Sequence, residues 1–193
     1  GNQRHAEKPS GWAHLPEAGC LYEEAWGVSI DRDLSAGRGG VKGIVGKLCT
    51  RTLPWYYLNR HRPLACENGA QLYRVTFSDG VESSVRKADR HLTIREKDRV
   101  LVDGGDLFMP ALWTKSGEWF VYSKAGGTRA WPVPEAWTGK AEVLAYGLSD
   151  DGRSPATVMP LRDGKLTIQL DPGQAFALVA RQSPNAEVKR ASP

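Results

Sequence analysis

Residues 118–153 constrain the fold more than any other part of the chain. They contain three strand-like runs rich in aromatic and branched side chains, at 118–123, 128–133 and 141–148. Each run is closed by turn-forming residues: a Gly-Gly pair at 126–127, two prolines at 132 and 134, and Asp-Asp-Gly at 150–152. This pattern predicts short β-strands joined by tight turns.

The alternation of side chains extends this prediction along most of the chain. Tyr73, Val75 and Phe77 alternate with polar residues, which places the aromatic and branched side chains on one face of a strand. Similar short runs separated by turn residues continue to about residue 179. Ten or so short strands without intervening helical patterns predict a mainly β protein, an antiparallel β-sandwich spanning residues 53–182.

The N-terminal quarter has a different character. Val41, Ile44, Val45 and Leu48 recur at helical spacing and predict a helix over residues 39–52 that needs a surface to pack on. A short apolar run at 26–30 predicts one strand. Residues 1–20 are polar and broken by prolines and glycines, which predicts irregular structure, and residues 183–193 read as a disordered tail or linker.

Composition and motifs exclude several classes of function. The chain has a net charge of +4, but its 26 basic residues are interleaved with 22 acidic ones, so no basic stripe for nucleic acid is predicted. No apolar run is long enough to predict a membrane span. Three cysteines without C-x-x-C spacing predict no metal site. The glycine-rich run at 37–47 lacks the spacing of a phosphate-binding loop, and no cofactor is predicted.

Acidic residues gather between positions 17 and 33. Retaining glycosidases hold two carboxyl groups about 5 Å apart across the scissile bond. Glu23 and Glu24 are adjacent and would point to opposite faces of a strand, so no catalytic residue is assigned in this chain. Glu24, Asp31 and Asp33 remain candidates for contact with a substrate.

The chain contains seven tryptophans, four of them between residues 113 and 137. Indole rings stack on the apolar faces of sugars, but they also fill sandwich cores. Alternation favours a core position for Trp119 and Trp131. Trp113 and Trp137 lie in loop-like stretches, so we expect them to be exposed and name them as candidate carbohydrate-binding residues.

The spacing of aromatics, glycines and prolines in 118–153 resembles the domain that follows the catalytic barrel in endo-α-N-acetylgalactosaminidases, glycoside hydrolase family 101. The run Leu-Cys-Thr-Arg-Thr-Leu-Pro-Trp-Tyr-Tyr-Leu at 48–58 is similar to that family's helix end, Leu-Pro turn and Tyr-Leu strand entry, and Asp-Gly-Lys-Leu-Thr at 163–167 extends the likeness. The resemblance implies that residues 21–52 are the closing strand and helix of a (β/α) barrel, with Asp31 or Asp33 near its rim, and that 53–182 is an ancillary sandwich. The family's catalytic aspartate and glutamate belong to earlier strands that this chain does not match.

The function implied is that of a non-catalytic C-terminal portion of a secreted glycoside hydrolase. The partners implied are the enzyme's own barrel and, through it, mucin-type O-glycans from which Galβ1,3GalNAc is released. An extracellular or bacterial cell-surface location follows from this resemblance. Two alternatives stay open: a stand-alone carbohydrate-binding sandwich with a tryptophan platform, and an independent enzyme that uses the acidic group.

Overall fold

A computed structural model of the chain describes residues 45–46, 48–149 and 151–181. Its helical elements are a π-helical turn at Leu48–Thr52, an α-helix (α1) at Leu53–Leu58, and 3₁₀ turns at Ser78–Gly80 and Glu135–Trp137. The strands are β1 (Pro63–Asn68), β2 (Leu72–Phe77), β3 (Val81–Arg86), β4 (His91–Glu96), β5 (Arg99–Asp103), β6 (Asp106–Pro110), β7 (Trp119–Ser123), β8 (Gly127–Pro132), β9 (Glu142–Ser149), β10 (Gly152–Pro160), β11 (Lys165–Leu170) and β12 (Gln174–Arg181).

Ten of these strands form one large antiparallel sheet. Strands β1 to β7 pair in sequence order, each with the next, and the sheet then continues in the order β7, β12, β9, β10. The strand that joins the two parts, β12, pairs with β7 on one side and with β9 on the other. The last strand in sequence therefore lies inside the sheet, as the eighth of its ten strands.

The other two strands, β8 and β11, pair with each other in a small sheet. Leu166, Ile168 and Leu170 alternate with exposed residues along β11 and point into the core. The chain passes from β7 to β8 at Gly126, where a side chain would lie only 2.6 Å from the backbone nitrogen of Pro172 and where φ is +72°. Only glycine fits this crossing without strain.

The two sheets pack face to face. The ring of Trp131 on β8 lies 5.6 Å from the ring of Phe108 on β6, which joins the layers through their side chains. The mainly β, antiparallel sandwich predicted from the sequence is confirmed.

Strand β7 lies at the centre, and all five of its residues are buried. Phe108 of β6 is directly opposite Val121, so these two residues share the face that meets the small sheet. Phe120 and Tyr122 point the other way, toward the helical segment: the π-helical turn contacts β7, and burial beside Cys49 raises the pKa of Tyr122 to about 12. A strand covered on both sides is expected to be apolar throughout, as this one largely is.

The helical segment packs its apolar side on the sandwich. Cys49, Leu53 and Tyr57 recur every four residues, and with Leu58 they are at most 2% exposed. The helix ends at Asn59, whose side-chain amide donates a hydrogen bond of 2.8 Å to the carbonyl oxygen of Trp55. Tertiary packing thus stabilises a helix that would be too short to form alone.

Two boundaries differ from the sequence prediction. The helix predicted to end at residue 52 continues to Leu58, and the first strand begins at Pro63 rather than near residue 53. The pair Leu53-Pro54 was expected to make a turn, but proline is tolerated in the first turn of an α-helix, where its missing N–H costs little. The leader predicted to be irregular (1–20), the predicted barrel strand, the predicted start of the helix and the predicted tail (183–193) lie outside the described residues.

Candidate functional site

The candidate substrate contacts Glu24, Asp31 and Asp33 lie outside the described residues, so their role stays a prediction. Among the residues that the structure describes, no group of three or more His, Cys, Asp and Glu side chains is placed to hold a metal ion. No helix in this part of the chain combines the length and apolar character needed to cross a membrane.

Several carboxylates of the sandwich are engaged in ion pairs. Glu118 accepts two hydrogen bonds from the Arg153 guanidinium, at 2.6 and 2.9 Å, and this arginine lowers the pKa of the carboxyl group. Hydrogen bonding from His61 lowers the pKa of Asp79, and hydrogen bonding from Arg86 lowers that of Asp89 to about 2.

All three of these pKa shifts are in the direction opposite to the one a glycosidase acid needs. The general acid that protonates a glycosidic oxygen has a raised pKa, usually because it lies in apolar surroundings. A carboxylate held ionised by an arginine cannot supply that proton near neutral pH. These three groups therefore act as structural ion-pair partners.

The four clustered tryptophans divide into two environments. Trp119 is 8% exposed and Trp131 is partly buried against the core, as predicted. Trp113 is 39% exposed, also as predicted, but Trp137 is only 3% exposed, so the expectation of exposure at this position is wrong.

The reason for the error at Trp137 is a short 3₁₀ turn. The backbone N–H of Trp137 donates a hydrogen bond of 2.9 Å to the carbonyl oxygen of Pro134. This bond turns the chain inward instead of leaving an open loop. The indole then packs 5.7 Å from Phe108 and 6.0 Å from Trp119. We call Phe108, Trp119, Trp131 and Trp137 the inner aromatic cluster.

The inner aromatic cluster is closed by an arginine. The guanidinium of Arg99 lies 5.7 Å from the ring of Trp119 and donates hydrogen bonds of 2.7 and 2.8 Å to the carbonyl oxygens of Pro132 and Val133. This side chain ties β5 of the large sheet to the end of β8 in the small sheet. Its role is to hold the two layers together.

A second aromatic group lies on the opposite face of β7. The ring of Trp113 makes an edge contact with Tyr56 of α1 at 5.2 Å and another with Phe120 at 6.2 Å. The neighbours of this contact in sequence, Trp55 and Leu112, are 41% and 38% exposed. Three of the five exposed large hydrophobic side chains among the described residues therefore either make this contact or are adjacent to it in sequence.

We call Trp55, Tyr56, Arg60, Leu112 and Trp113 the outer aromatic patch. Arg60 belongs to it because its guanidinium lies over the Tyr56 ring at 5.2 Å. Trp55 and Tyr56 of the helix, and Arg60 in the turn after it, are not among the candidates predicted from the sequence, because 53–58 resembles a turn and strand entry. A helical period through Leu53 and Tyr57 would have placed Trp55 and Tyr56 on the outer side.

The loop that carries Trp113 is held by a dense set of hydrogen bonds. The hydroxyl of Thr114 donates to the carbonyl of Ala111 at 2.9 Å and accepts from the N–H of Glu118 at 3.1 Å. The Glu118 side chain is then fixed by Arg153 on β10. Trp113 is therefore presented on a defined loop rather than a loose one.

Comparison with known families adds the decisive observation. The model of the "Glycosyl hydrolase 101 beta sandwich domain" matches residues 51–154, more than half of the chain. The chain belongs to glycoside hydrolase family 101. The match begins inside the π-helical turn and covers β1 to β9, so the family 101 sandwich includes both aromatic groups described above.

The family 101 match also ends before the fold does. Strands β11 and β12 follow residue 154, yet β12 pairs with β7 and β9 in the middle of the large sheet. The structural unit therefore extends through Arg181. The earlier division of the chain at residues 52 and 182 stays a prediction.

Proposed function

We propose that this sandwich is a non-catalytic supporting part of a larger, secreted family 101 glycoside hydrolase. In this proposal the enzyme's own barrel releases Galβ1,3GalNAc from serine or threonine of mucin-type glycoproteins, and residues 21–52 close that barrel. The family membership supports a carbohydrate-acting parent enzyme, and the lowered carboxyl pKa values fit a part that contains no catalytic acid.

One observation carries the proposed coupling between sandwich and barrel. The helical segment that reaches Leu58 buries its apolar side in the sandwich core, although its first part precedes the family match. A helix whose C-terminal half is built into one core cannot move independently of that core. If its N-terminal half packs on the barrel, the two domains share one rigid element.

The burial of the helical segment in the sandwich core contributes substantially to the free energy of folding. Cys49, Leu53, Tyr57 and Leu58 are almost fully buried. Burying a large apolar side chain contributes about 1.5–3 kcal/mol. Loss of one such side chain should therefore loosen the helix without unfolding the sandwich outright.

Calorimetry of the parent enzyme tests the coupling. We expect barrel and sandwich to unfold in one transition, and Leu53→Ala to lower that transition together with the rate of release from an aryl α-glycoside of Galβ1,3GalNAc. Leu64→Ala is the matched control, since Leu64 is 53% exposed on β1 and should leave both unchanged. A barrel transition that is separate and insensitive to Leu53→Ala would contradict the proposal.

The same calorimetry distinguishes the supporting role from a second candidate function, that of a stand-alone carbohydrate-binding module. A stand-alone carbohydrate-binding module would unfold independently of any barrel, and the exposure of Trp113 is the observation that favours it. Catalysis by this chain alone is the third possibility. We expect the purified chain to release no sugar from the aryl glycoside.

A further inference from the structure

We infer that the outer aromatic patch is a binding site for a neutral hexopyranose, reached by a glycan chain of the substrate. The inference rests on the proposed function for the identity of that glycan, but the site itself is defined by Trp55, Tyr56, Arg60, Leu112 and Trp113. It replaces the pair Trp113 and Trp137 expected from the sequence. Trp137 is buried in the inner aromatic cluster and is not available to a ligand.

The aromatic surface is the first requirement for such a site. Pyranose rings have apolar C–H faces, and an indole ring offers a flat, polarisable surface for them. Trp55 and Trp113 are 41% and 39% exposed, whereas the rings that fill the core are nearly all covered. The accessible Trp113 ring is in edge contact with Tyr56 of α1, and Trp55 of the same helix adds a second accessible indole.

A hydrogen-bond donor beside the rings is the second requirement, because a sugar carries hydroxyl groups around its apolar face. Arg60 is exposed, and its guanidinium lies over Tyr56 at 5.2 Å. In the described part of the chain, no carboxylate forms an ion pair with it, so its N–H groups can donate to a ligand. Neutral hydroxyl oxygens accept such bonds without the desolvation cost of a charged partner.

Rigidity is the third requirement, since an ordered surface loses little conformational entropy on binding. The Trp113 ring is fixed between Tyr56 and Phe120 by two edge contacts. Its loop is held by Thr114 and by the Glu118–Arg153 pair, in which Glu118 is 7% exposed. The platform is therefore already formed in the absence of a ligand.

Titration calorimetry of this chain tests the site with two probes, a Galβ1,3GalNAc-bearing serine/threonine glycopeptide and the same peptide without sugar. We expect the glycopeptide to bind and the bare peptide not to bind. Trp113→Ala should weaken binding at least about tenfold and Arg60→Gln about threefold, because one removes a stacking surface and the other a single donor. Leu64→Ala, at an exposed position on β1, should leave binding unchanged.

Three outcomes would overturn the inference. The first is no binding of the glycopeptide to a wild-type chain with a cooperative unfolding transition. The second is equal binding by wild type and Trp113→Ala, with near-ultraviolet circular dichroism confirming that the variant is folded. The third is protection of Trp55 and Trp113 from hydroxyl-radical oxidation in the parent enzyme without glycan, which would mean that the barrel covers the patch.

Failure here and failure of the proposed function are distinguishable. Loss of the coupled calorimetric transition would remove the supporting role while leaving a Trp113-dependent titration intact. Conversely, absence of glycan binding would leave the effect of Leu53→Ala on the parent enzyme unchanged. Leu53 is fully buried in the core whereas Trp113 is exposed, so the first substitution tests how the helix is held and the second tests a surface ring.

Discussion

The inner aromatic cluster and the outer aromatic patch lie on opposite faces of strand β7. Two consecutive residues of this strand each contact one of them. Trp119 of β7 joins the inner aromatic cluster, and Phe120 supports the outer aromatic patch. Ring separations are similar, 4.9 Å for Phe108–Trp119 and 5.2 Å for Tyr56–Trp113. The difference is exposure: 8% for Trp119 and 39% for Trp113. Ring separation alone therefore does not distinguish an aromatic group that stabilises the core from one that is available to a ligand. The exposed fraction of the rings does.

The small sheet covers the inner aromatic cluster. Trp131 comes from β8, and the 3₁₀ turn that follows this strand brings in Trp137. Among the described residues, the outer aromatic patch is built from a short helix and a loop. The first group therefore depends on long-range strand pairing, and the second on local structure built around α1.

The largest effect should come from removing the strands that follow the family match. A chain ending at residue 154 lacks β11, β12 and most of β10, so it loses half of the small sheet, the strand between β7 and β9, and the edge strand beside β9. We expect no cooperative urea unfolding and a flat near-ultraviolet circular dichroism spectrum. A chain ending at residue 181 is the control and should keep both signals. A sharp transition in the shorter chain would show that the inner aromatic cluster does not need the small sheet.

Truncating the centre of the inner aromatic cluster should be the next most costly change. Phe108 is 1% exposed and contacts Trp119, Trp131 and Trp137. Phe108→Ala should lower the free energy of unfolding by about 3–5 kcal/mol, since it leaves a cavity between the sheets. Urea denaturation gives this value. A cost below that of truncating a ring in the outer aromatic patch would contradict the assignment of the cluster to the core.

Much of the sandwich could be predicted from local patterns, because a strand reveals which side chains share a face. Alternation predicted a core position for Trp119, and in the structure Trp119 lies on the face of β7 that meets the small sheet. The neighbour relation between β7 and β12 could not be predicted in this way, since it joins strands about fifty residues apart in the chain. Strand pairing at that separation depends on the whole core rather than on any local signal.

The candidate site was harder to predict than the fold. Trp137 was expected to be exposed because proline and glycine surround it, yet a 3₁₀ turn folded it inward. Trp55 was overlooked because Pro54 was interpreted as a break, although proline is acceptable in a helix's first turn. In both cases one backbone conformation decided which way an aromatic ring points. Amino-acid composition and residue spacing do not predict the direction in which such a ring points.

Breaking the Glu118–Arg153 ion pair, which holds the Trp113 loop, should have a smaller effect on the free energy of unfolding. This effect should depend on pH. Arg153 lowers the folded-state pKa of Glu118 below its ordinary 4.5. The pair therefore contributes its full stability above pH 4.5 and loses it as the pH falls through the lowered pKa. Because the Arg153 side chain is 44% exposed, solvent screens the interaction, and Glu118→Gln should cost about 1–2 kcal/mol at pH 7.

The pH profile distinguishes this pair from the other carboxylates. Asp79 and Asp89 also have lowered pKa values, so the wild type loses stability in acid from several groups. The difference between wild type and Glu118→Gln should shrink as the pH is lowered from 7 toward 3, as measured by urea unfolding at each pH. A difference that stays constant with pH would mean that packing, and not charge, holds the loop.

Removing the exposed indole should have the smallest effect on stability. Trp113 keeps 39% of its surface exposed and makes two edge contacts, with Tyr56 and Phe120. Such contacts contribute about 0.5–1.5 kcal/mol beyond the area that they bury, and because much of the indole is exposed, Trp113→Ala should cost less than Phe108→Ala in urea unfolding. The backbone of the loop keeps its hydrogen bonds through Thr114, which do not involve the indole. A cost equal to that of Phe108→Ala would mean that the outer aromatic patch is part of the core. Its exposed ring would then be explained by stability and would no longer argue for a ligand.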